Sequence, residues 1–206
     1  PDDLIHERLD VLVKNPGIPY HVKPIQQALQ NNIPVVTEVE VAYALSRGSF
    51  IGITGSNGKT TTTTLVGEML KAGGIRNVVA GNIGRALTEV ASATDDQEWL
   101  VAELSSFQLK GTIRFRPRVA ALLNIVPAHL DYHETMEDYI ASKKRLFANQ
   151  TVDDIAIFNA DCVESSKLAS EAKATVLMFS RLQRVNRGTD IRSGYICYHN
   201  LQGSGE

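Results

Sequence analysis

The stretch GITGSNGKTTTTTLVGEML, Gly52 to Leu70, has most of the features of a phosphate-binding loop but departs from the strict pattern at one position. That pattern, GxxxxGK[ST], places its first glycine where this chain has Ile53. Gly55 and Gly58 still allow a tight turn whose N–H groups face a phosphate, and a following helix adds the partial positive charge of its N-terminus. The flanking segments FIGIT and TTTTLVGEML supply the strand and the helix that such a loop requires.

The side chains of this loop suit a nucleotide and a metal ion. Lys59 is expected to reach the β- and γ-phosphates, and Thr60 or Thr61 offers a hydroxyl to Mg²⁺. The alternative is an ordinary glycine-rich turn with a surface lysine. Ile53 is the observation that the nucleotide hypothesis leaves unexplained.

The composition is that of a globular protein that acts on small molecules. The 206 residues are 43% hydrophobic and 21% charged, enough for one large domain or one domain and part of another. A formal charge of −2 and no long basic run disfavour nucleic acid and anionic membranes as partners. No apolar run approaches the roughly 20 residues that span a bilayer, and the opening PDDLIHERLD is acidic, so a cytoplasmic protein is expected. Cys162 and Cys197 have no metal or disulfide spacing and are interpreted as ordinary thiols.

Short β-rich runs alternate with helical patterns from about Phe50 to Ser180, which predicts an α/β fold with a parallel sheet and crossover helices. Continuous apolar runs such as VAALLNIV are typical of strands buried on both faces. Residues 1–48 are predicted to be the latter part of a preceding unit. Beyond Ser180 the sequence is polar, and only the YICYH segment is weakly strand-like.

Two polar side chains follow predicted strands of this sheet. Glu103 lies near the end of WLVAELS, and Asn82 lies in the GNIG segment after another strand. Ligands of parallel sheets gather beyond the carboxyl ends of the strands, so Glu103 is expected to face the phosphates and to hold Mg²⁺ directly or through water. The alternatives are a carboxylate satisfied by backbone donors or a basic neighbour, and a GNIG segment that is merely a tight turn.

His129 and Asp131, in PAHLDYH, follow a further strand. The histidine is a candidate for a second metal ion or for substrate, or it is simply solvated. The next predicted helix, near 136–148, has Thr135 as its N-cap and Lys143 in the middle of its apolar stripe. An inward lysine must extend to solvent, pair with an acid or lose its charge, and chemical modification or contact with phosphates are the functional alternatives.

Taken together these motifs resemble those of the Mur ligase family. The resemblance covers about Val11 to Ala160 and includes, in order, NPGIP, GITGSNGKTTTTTLVGEM, GNIG, ELSSFQL, LLNIVPAHLDYH and YIASKKRLF. In that family an aliphatic residue normally occupies the position of Ile53. Two departures are Ala128, where many members have an acid, and Lys110, where an acid often follows ELSSFQL.

The resemblance implies a set of site residues. The implied ATP-binding residues are Thr54, Gly55, Ser56, Asn57, Gly58, Lys59, Thr60 and Thr61. The implied substrate-binding residues are Asn15, Pro16, Gly17, Asn82, Ser105, Gln108 and His129. The implied ligands of two Mg²⁺ ions are Thr60, Glu103, His129 and Lys143 as a CO₂-derived carbamate. The implied catalytic residues are Lys59, Glu103, His129 and Lys143.

The resemblance also implies an activity and a domain plan. ELSSFQL points to the family branch that adds D-glutamate to UDP-N-acetylmuramoyl-L-alanine through an acyl phosphate, in the cytoplasm and as a monomer. Residues 1–48 would complete a Rossmann-like UDP-binding domain and residues 49–206 most of an ATP-binding domain. A C-terminal domain for adenine and D-glutamate would lie outside the chain, so the segment alone is expected to be inactive. Another Mur ligase, folylpolyglutamate synthase or a non-ligase P-loop module are the alternatives.

Overall fold

An eight-stranded sheet organises most of the molecule in the computed structural model, which describes residues 9–201. Its strands are β3 (Ser49–Thr54), β4 (Asn77–Gly81), β5 (Trp99–Glu103), β6 (Val119–Leu122), β7 (Ile155–Asn159), β8 (Thr175–Phe179), β9 (Gly188–Arg192) and β10 (Tyr195–His199). They lie in the order β10-β9-β8-β7-β6-β3-β5-β4, and every neighbouring pair except β9 and β10 is parallel. The predicted α/β fold is confirmed. Residues 1–8, with most of the acidic opening stretch, and residues 202–206 lie outside the described residues.

Helices connect these strands. They are α3 (Lys59–Ala72), α4 (Leu87–Ala91), α5 (Ser106–Lys110), α6 (Leu130–His133), α7 (Met136–Lys144), which continues into a 3₁₀ turn (Arg145–Phe147), and α8 (Val163–Ala169). Helix α3 ends at the pair Gly73 and Gly74, and Gly74 adopts the left-handed φ of 74° that suits glycine. Thr135 caps α7 as predicted, because its hydroxyl accepts a hydrogen bond from the Asp138 N–H.

A smaller unit precedes the sheet. It contains the parallel strands β1 (Leu12–Val13) and β2 (Val35–Val36) and the helices α1 (Lys23–Gln30) and α2 (Glu38–Leu45). Ile25, Ala28 and Val35 form its own core, whereas α2 contributes Val39 and Ala42 to the core of the large sheet. The predicted domain boundary after residue 48 stays a prediction, and the packing of α2 favours an earlier division.

The central strands are buried on both faces, as their apolar runs predict. In β5, Leu100 belongs to the core on one face of the sheet, and Val101 to the core on the other. Ile53 is 1% exposed and lies in the second core, with Val101 and Ala121. Position 53 is therefore still inside strand β3, and the loop begins only at Gly55. A buried aliphatic side chain suits that position better than the glycine of the strict pattern.

The β9–β10 hairpin extends the sheet beyond what the sequence predicts, since only the YICYH segment of β10 was expected. Its turn residues Ser193 and Gly194 both have positive φ, 49° and 81°, which is the geometry of the tight turns that join twisted antiparallel strands. The β9 segment, GTDIR, was missed because its inward residue Asp190 is charged. Asp190 is 1% exposed and bonds Arg192 and His199. Among residues 9–201, none of the helices combines the length and apolar character needed to cross a membrane.

Candidate active site

The loop of residues 55–58 joins β3 to α3, and two features hold its shape. Gly58 has a left-handed φ of 82°, which only glycine adopts without strain. Asn124 spans the loop from outside: its Oδ1 accepts from the Asn57 N–H at 2.9 Å and its Nδ2 donates to the Asn57 carbonyl at 3.0 Å. Asn124 was not predicted from the sequence as a site residue. Its position just after β6, at the carboxyl edge of the sheet, was the available signal.

Lys59 begins α3 and folds over this loop. Its Nζ donates to the Gly55 carbonyl at 2.9 Å and to the Ser56 carbonyl at 3.1 Å. Thr61 is exposed in the first turn of the helix, whereas Thr54 is fully buried and its hydroxyl donates to the Leu104 carbonyl at 2.7 Å. Of the predicted ATP-binding residues, Thr54 and Gly55 are buried, and the others are at least partly exposed.

Glu103 ends strand β5 beside this loop and is 1% exposed. Its Oε2 accepts from the Thr60 hydroxyl at 2.7 Å, and its Oε1 accepts from the Asn82 amide at 2.8 Å. The two neighbours predicted for it are thus both in contact. None of the ion pairs found between residues 9 and 201 involves Glu103, so the alternative of a basic neighbour is not supported there.

Gly81 permits this close arrangement. The Asn82 N–H donates to the Glu103 carbonyl at 2.9 Å, and Gly81 has a φ of 112°. A Cβ at Gly81 would lie 2.4 Å from the Glu103 carbonyl oxygen, which is shorter than the van der Waals contact distance of these atoms. The GNIG segment is therefore a tight turn that also carries a polar contact to the buried acid.

Lys143 is the other buried charge carrier of the site. It is 1% exposed, and its Nζ donates to the Gly55 carbonyl at 3.0 Å and to the Thr54 hydroxyl at 3.4 Å. Burial, together with the nearby positive charge of Lys59, lowers the pKa of Lys143 to about 7. The ion pairs of the described chain do not include this amine, whereas the adjacent Lys144 is exposed and pairs with Glu171. Within residues 9–201, Lys143 therefore neither extends to solvent nor pairs with an acid, and it is a desolvated amine.

His129 lies just before α6 with a left-handed φ of 56°. It is exposed, and its ring packs against Phe107 at 5.0 Å and Tyr139 at 6.4 Å between ring centroids. Asp131 is also exposed. Within the described residues no group of three or more His, Cys, Asp or Glu side chains could hold a metal ion by itself. A cation at this edge would need oxygen atoms of a ligand and of water to complete its coordination.

The predicted substrate-binding residues of α5 form its N-cap. Ser105 accepts from the Gln108 N–H, and the Gln108 side chain accepts from the Ser105 N–H in a reciprocal capping box. Gln108 Nε2 also donates to Glu38 of α2 at 3.2 Å. Their polar groups therefore hold α5 in place beside Glu103, and their contact with substrate stays a prediction.

The predicted UDP loop of residues 15–17 packs against the larger unit. The Asn15 side chain accepts from the Gly17 N–H at 2.9 Å, which closes a local turn. The Tyr132 hydroxyl donates to the Pro16 carbonyl at 2.9 Å, and Lys14 bonds both that carbonyl and the Tyr132 oxygen. This loop therefore meets the segment that follows His129, although no contact tests its role in binding.

Lys110, the second departure from the family pattern, has an acid of its own. Its Nζ lies 2.6 Å from Asp138 Oδ2, which also bonds His133 Nδ1 at 2.7 Å. His133 Nε2 in turn bonds the Ser106 hydroxyl at 2.9 Å. The order of these groups is that of a serine hydrolase triad, but Ser106 is 2% exposed, so the chain of bonds serves to join α5 to α7.

Comparison with known proteins places this geometry in a family. The Mur ligase middle domain matches residues 53–203. The UDP-N-acetylmuramoylalanine–D-glutamate ligase of Bacillus pumilus is 52% identical over 192 residues, which are 93% of this chain and 43% of the relative. The corresponding ligase of Bacillus subtilis is 47% identical, again over 93% of this chain and 43% of the relative. The chain thus spans less than half the length of these relatives. Its fold resembles that of UDP-N-acetylmuramate:L-alanyl-gamma-D-glutamyl-meso-diaminopimelate ligase from Neisseria meningitides, with a TM-score of 0.61 and 15% identity over 95% of this chain and 69% of that one. The chain belongs to the Mur ligase family.

Proposed function

We propose that the full-length protein containing this chain is an ATP-dependent ligase that joins D-glutamate to UDP-N-acetylmuramoyl-L-alanine, in the cytoplasm and as a monomer. Relatives that are about half identical over more than nine tenths of the chain carry that activity in their names. The ELSSFQL segment, residues 103–109, supports the same branch of the family. The UDP-binding role of residues 15–17 and a separate D-glutamate-binding domain belong to this proposal.

One observation carries the proposal: three different reactive groups converge on one end of strand β3. Lys59 and Lys143 both donate to the Gly55 carbonyl, and the Thr60–Glu103 pair lies at the start of α3. In an open parallel sheet this edge is where phosphates and metals bind. A module that only bound nucleotide would have no need of a second, desolvated lysine beside the first.

The residues of the loop fit ATP and Mg²⁺. Lys59 and the N-terminus of α3 would hold phosphate oxygens, and the Thr60 hydroxyl with the Glu103 carboxylate offers the oxygen ligands that Mg²⁺ prefers. A bound Mg²⁺ would neutralise charge that develops on the transferring phosphoryl group. His129 is our candidate for a second ion. Asn82, which already bonds Glu103, would contact the muramoyl-alanine end of the substrate.

We infer that Lys143 reacts with CO₂ to form a carbamate. Only a neutral amine adds CO₂, and a pKa near 7 leaves about half of the Lys143 amines neutral at neutral pH. The nitrogen forms the new bond to carbon and releases a proton, so the product is an anion able to bind a metal. Carbon-13 NMR of the protein in labelled bicarbonate is expected to show one carbamate signal that is absent after Lys143→Arg. Retention of the signal in that variant would refute the assignment.

The proposed reaction has two steps. The alanyl carboxylate attacks the γ-phosphorus of ATP, ADP leaves, and Lys59 with the loop N–H groups stabilises the charge on the phosphoryl oxygens. The amine of D-glutamate then attacks the acyl phosphate carbon. The tetrahedral adduct expels phosphate and loses a proton, which leaves an amide.

The experiment is an ADP-release assay on the full-length protein with UDP-N-acetylmuramoyl-L-alanine and a panel of amino acids. Release should rise with D-glutamate and depend on the nucleotide-linked substrate. Stimulation by L-lysine or diaminopimelate instead would assign the protein to another branch of the family. ADP release without any acceptor would favour a nucleotide-hydrolysing module.

A further inference from the structure

Tyr139 lies between the groups just assigned to phosphate and metal chemistry, but it is not one of them. It is 1% exposed on α7, one helical turn before Lys143, and both side chains point to the buried face. Its hydroxyl lies 2.9 Å from the Ser56 hydroxyl of the phosphate loop. Its ring lies under the Lys143 amine, with Nζ 4.7 Å from the ring centroid. One side chain therefore touches both the loop and the buried lysine.

The direction of the hydrogen bond to Ser56 follows from counting hydrogens. The Ser56 hydroxyl has one hydrogen, which it donates to the Val126 carbonyl at 3.0 Å, and it accepts from the Val126 N–H at 3.0 Å. The remaining contact must therefore be donated by the Tyr139 O–H. Phenylalanine at this position would leave the Ser56 oxygen with an unfilled acceptor and the loop with one bond fewer.

The ring has its own role, separate from the hydroxyl. An aromatic ring excludes water from a group packed on its face, and it attracts the protonated form of an amine. Here the ring closes one side of the Lys143 amine, while the Gly55 carbonyl and the Thr54 hydroxyl accept its hydrogens. The same ring contacts the imidazole of His129 at 6.4 Å between centroids.

We propose that Tyr139 is a positioning residue that fixes the phosphate loop through its hydroxyl and the Lys143 amine through its ring. Binding energy is lost when a loop must be ordered by the ligand, so a loop already held by Tyr139 binds phosphate more tightly. The two roles belong to different atoms of one side chain and can therefore be separated by mutation. This inference rests on the proposed function for the identity of the ligand, Mg·ATP.

The test compares Tyr139→Phe, which removes only the hydroxyl, with Tyr139→Leu, which removes the ring as well. Tyr198→Phe is the matched control, because Tyr198 is 68% exposed on β10, far along the sheet order from β3. Titration calorimetry of the full-length protein with Mg·ATP gives the dissociation constant. Tyr139→Phe should raise it about 2- to 10-fold, the worth of one hydrogen bond, and Tyr198→Phe should leave it unchanged.

A spectroscopic signature reports the ring. Lys143 Nζ lies over the aromatic face, so the protons on the adjacent Cε should resonate upfield of those of other lysines in a ¹³C-lysine spectrum. The peak is identified by its loss in Lys143→Arg. The upfield shift should survive in Tyr139→Phe and disappear in Tyr139→Leu. In the ADP-release assay, Tyr139→Phe should raise the KM for ATP with kcat little changed, whereas Tyr139→Leu should lower kcat about 10-fold.

Three results would overturn the inference. One is a dissociation constant for Tyr139→Phe equal to that of the wild type. Another is a Lys143 signal that is not shifted upfield in the wild type. The third is a loss of kcat in both variants that matches the fraction of unfolded protein, with KM unchanged, which is what a purely structural role would produce. The binding and NMR measurements need no amide formation, so failure of the ligase assay alone would refute the proposed function and leave these two to decide the role of Tyr139.

Discussion

Replacing Lys143 with methionine is expected to stabilise the protein near neutral pH, although it removes the amine that we assign to the metal site. The fall in the pKa of Lys143 from 10.5 to about 7 corresponds to about 5 kcal/mol of penalty on the buried ammonium. Methionine has a similar length and no charge to desolvate. It forfeits the bonds to Gly55 and Thr54, worth about 1 kcal/mol each, and the contact with the Tyr139 ring. The free energy of unfolding should therefore rise by about 1–3 kcal/mol.

The dependence of this gain on pH identifies its cause. An unfolded lysine keeps its proton up to about pH 10.5, whereas the folded Lys143 loses it near pH 7, so the unfolded state binds more protons between these values. The folded wild type therefore becomes more stable as the pH rises through this window, by about 2 kcal/mol between pH 7 and 9. Methionine does not titrate, so its advantage should shrink by that amount.

Equilibrium urea unfolding at pH 7 and pH 9 measures both effects. Lys144→Met is the matched control, because Lys144 is exposed and pairs with Glu171 at the surface. It should change the free energy of unfolding by less than about 1 kcal/mol at either pH. A Lys143→Met protein that is less stable than the wild type by the same amount at both pH values would show that burial does not penalise the Lys143 ammonium.

Three further substitutions test other parts of the account. Glu103→Gln in the full-length protein should lower turnover about 10²-fold in the ADP-release assay. The control Glu68→Gln, on the exposed side of α3, should leave turnover unchanged. Near-normal turnover of Glu103→Gln would show that Glu103 is not a metal ligand. Asn124→Ala should raise the KM for ATP about 10-fold, because both bonds that brace the loop are lost, and an unchanged KM would show that the brace is dispensable. Burial alone would raise the pKa of Asp154, but the hydrogen bond from Arg116 helps to hold it below its ordinary value. Asp154→Asn should therefore lower the free energy of unfolding by about 1–3 kcal/mol at pH 7. Urea unfolding should show this difference shrinking as the pH falls below about 4, because the unfolded carboxylate gains its proton there while the folded carboxylate is still ionised.

The features that could be predicted from the sequence are those set by local pattern. The phosphate loop could be predicted from a strand, two glycines and a helix. The position of Glu103 could be predicted from the rule that the carboxyl ends of parallel strands share one edge of the sheet. Lys143 could be placed on the buried face of its helix because the apolar residues around it recur at spacings of three and four. Each of these arguments depends on residues close together in the chain.

What could not be predicted depends on pairing between distant segments. Asn124 braces the loop because β6 lies beside β3 in a register that pairs Ile51 with Val119. The chemical surroundings of Lys143 are also non-local, since carbonyl and hydroxyl oxygens near position 55 accept its hydrogens. Strand β9 was missed because the partners that neutralise Asp190 become neighbours only when the hairpin forms. In each case the deciding contact lies outside the span of a periodic pattern.

The proposed function requires ATP to phosphorylate a carboxylate of the substrate, and oxygen labelling follows this step. UDP-N-acetylmuramoyl-L-alanine carrying ¹⁸O in both oxygens of its alanyl carboxylate is incubated with the full-length protein, ATP and D-glutamate, and the released phosphate is analysed by mass spectrometry. Because the acyl–oxygen bond of the acyl phosphate breaks, each phosphate should carry one ¹⁸O atom from the substrate. Phosphate that contains no substrate oxygen would mean that water attacks ATP, and would contradict the account.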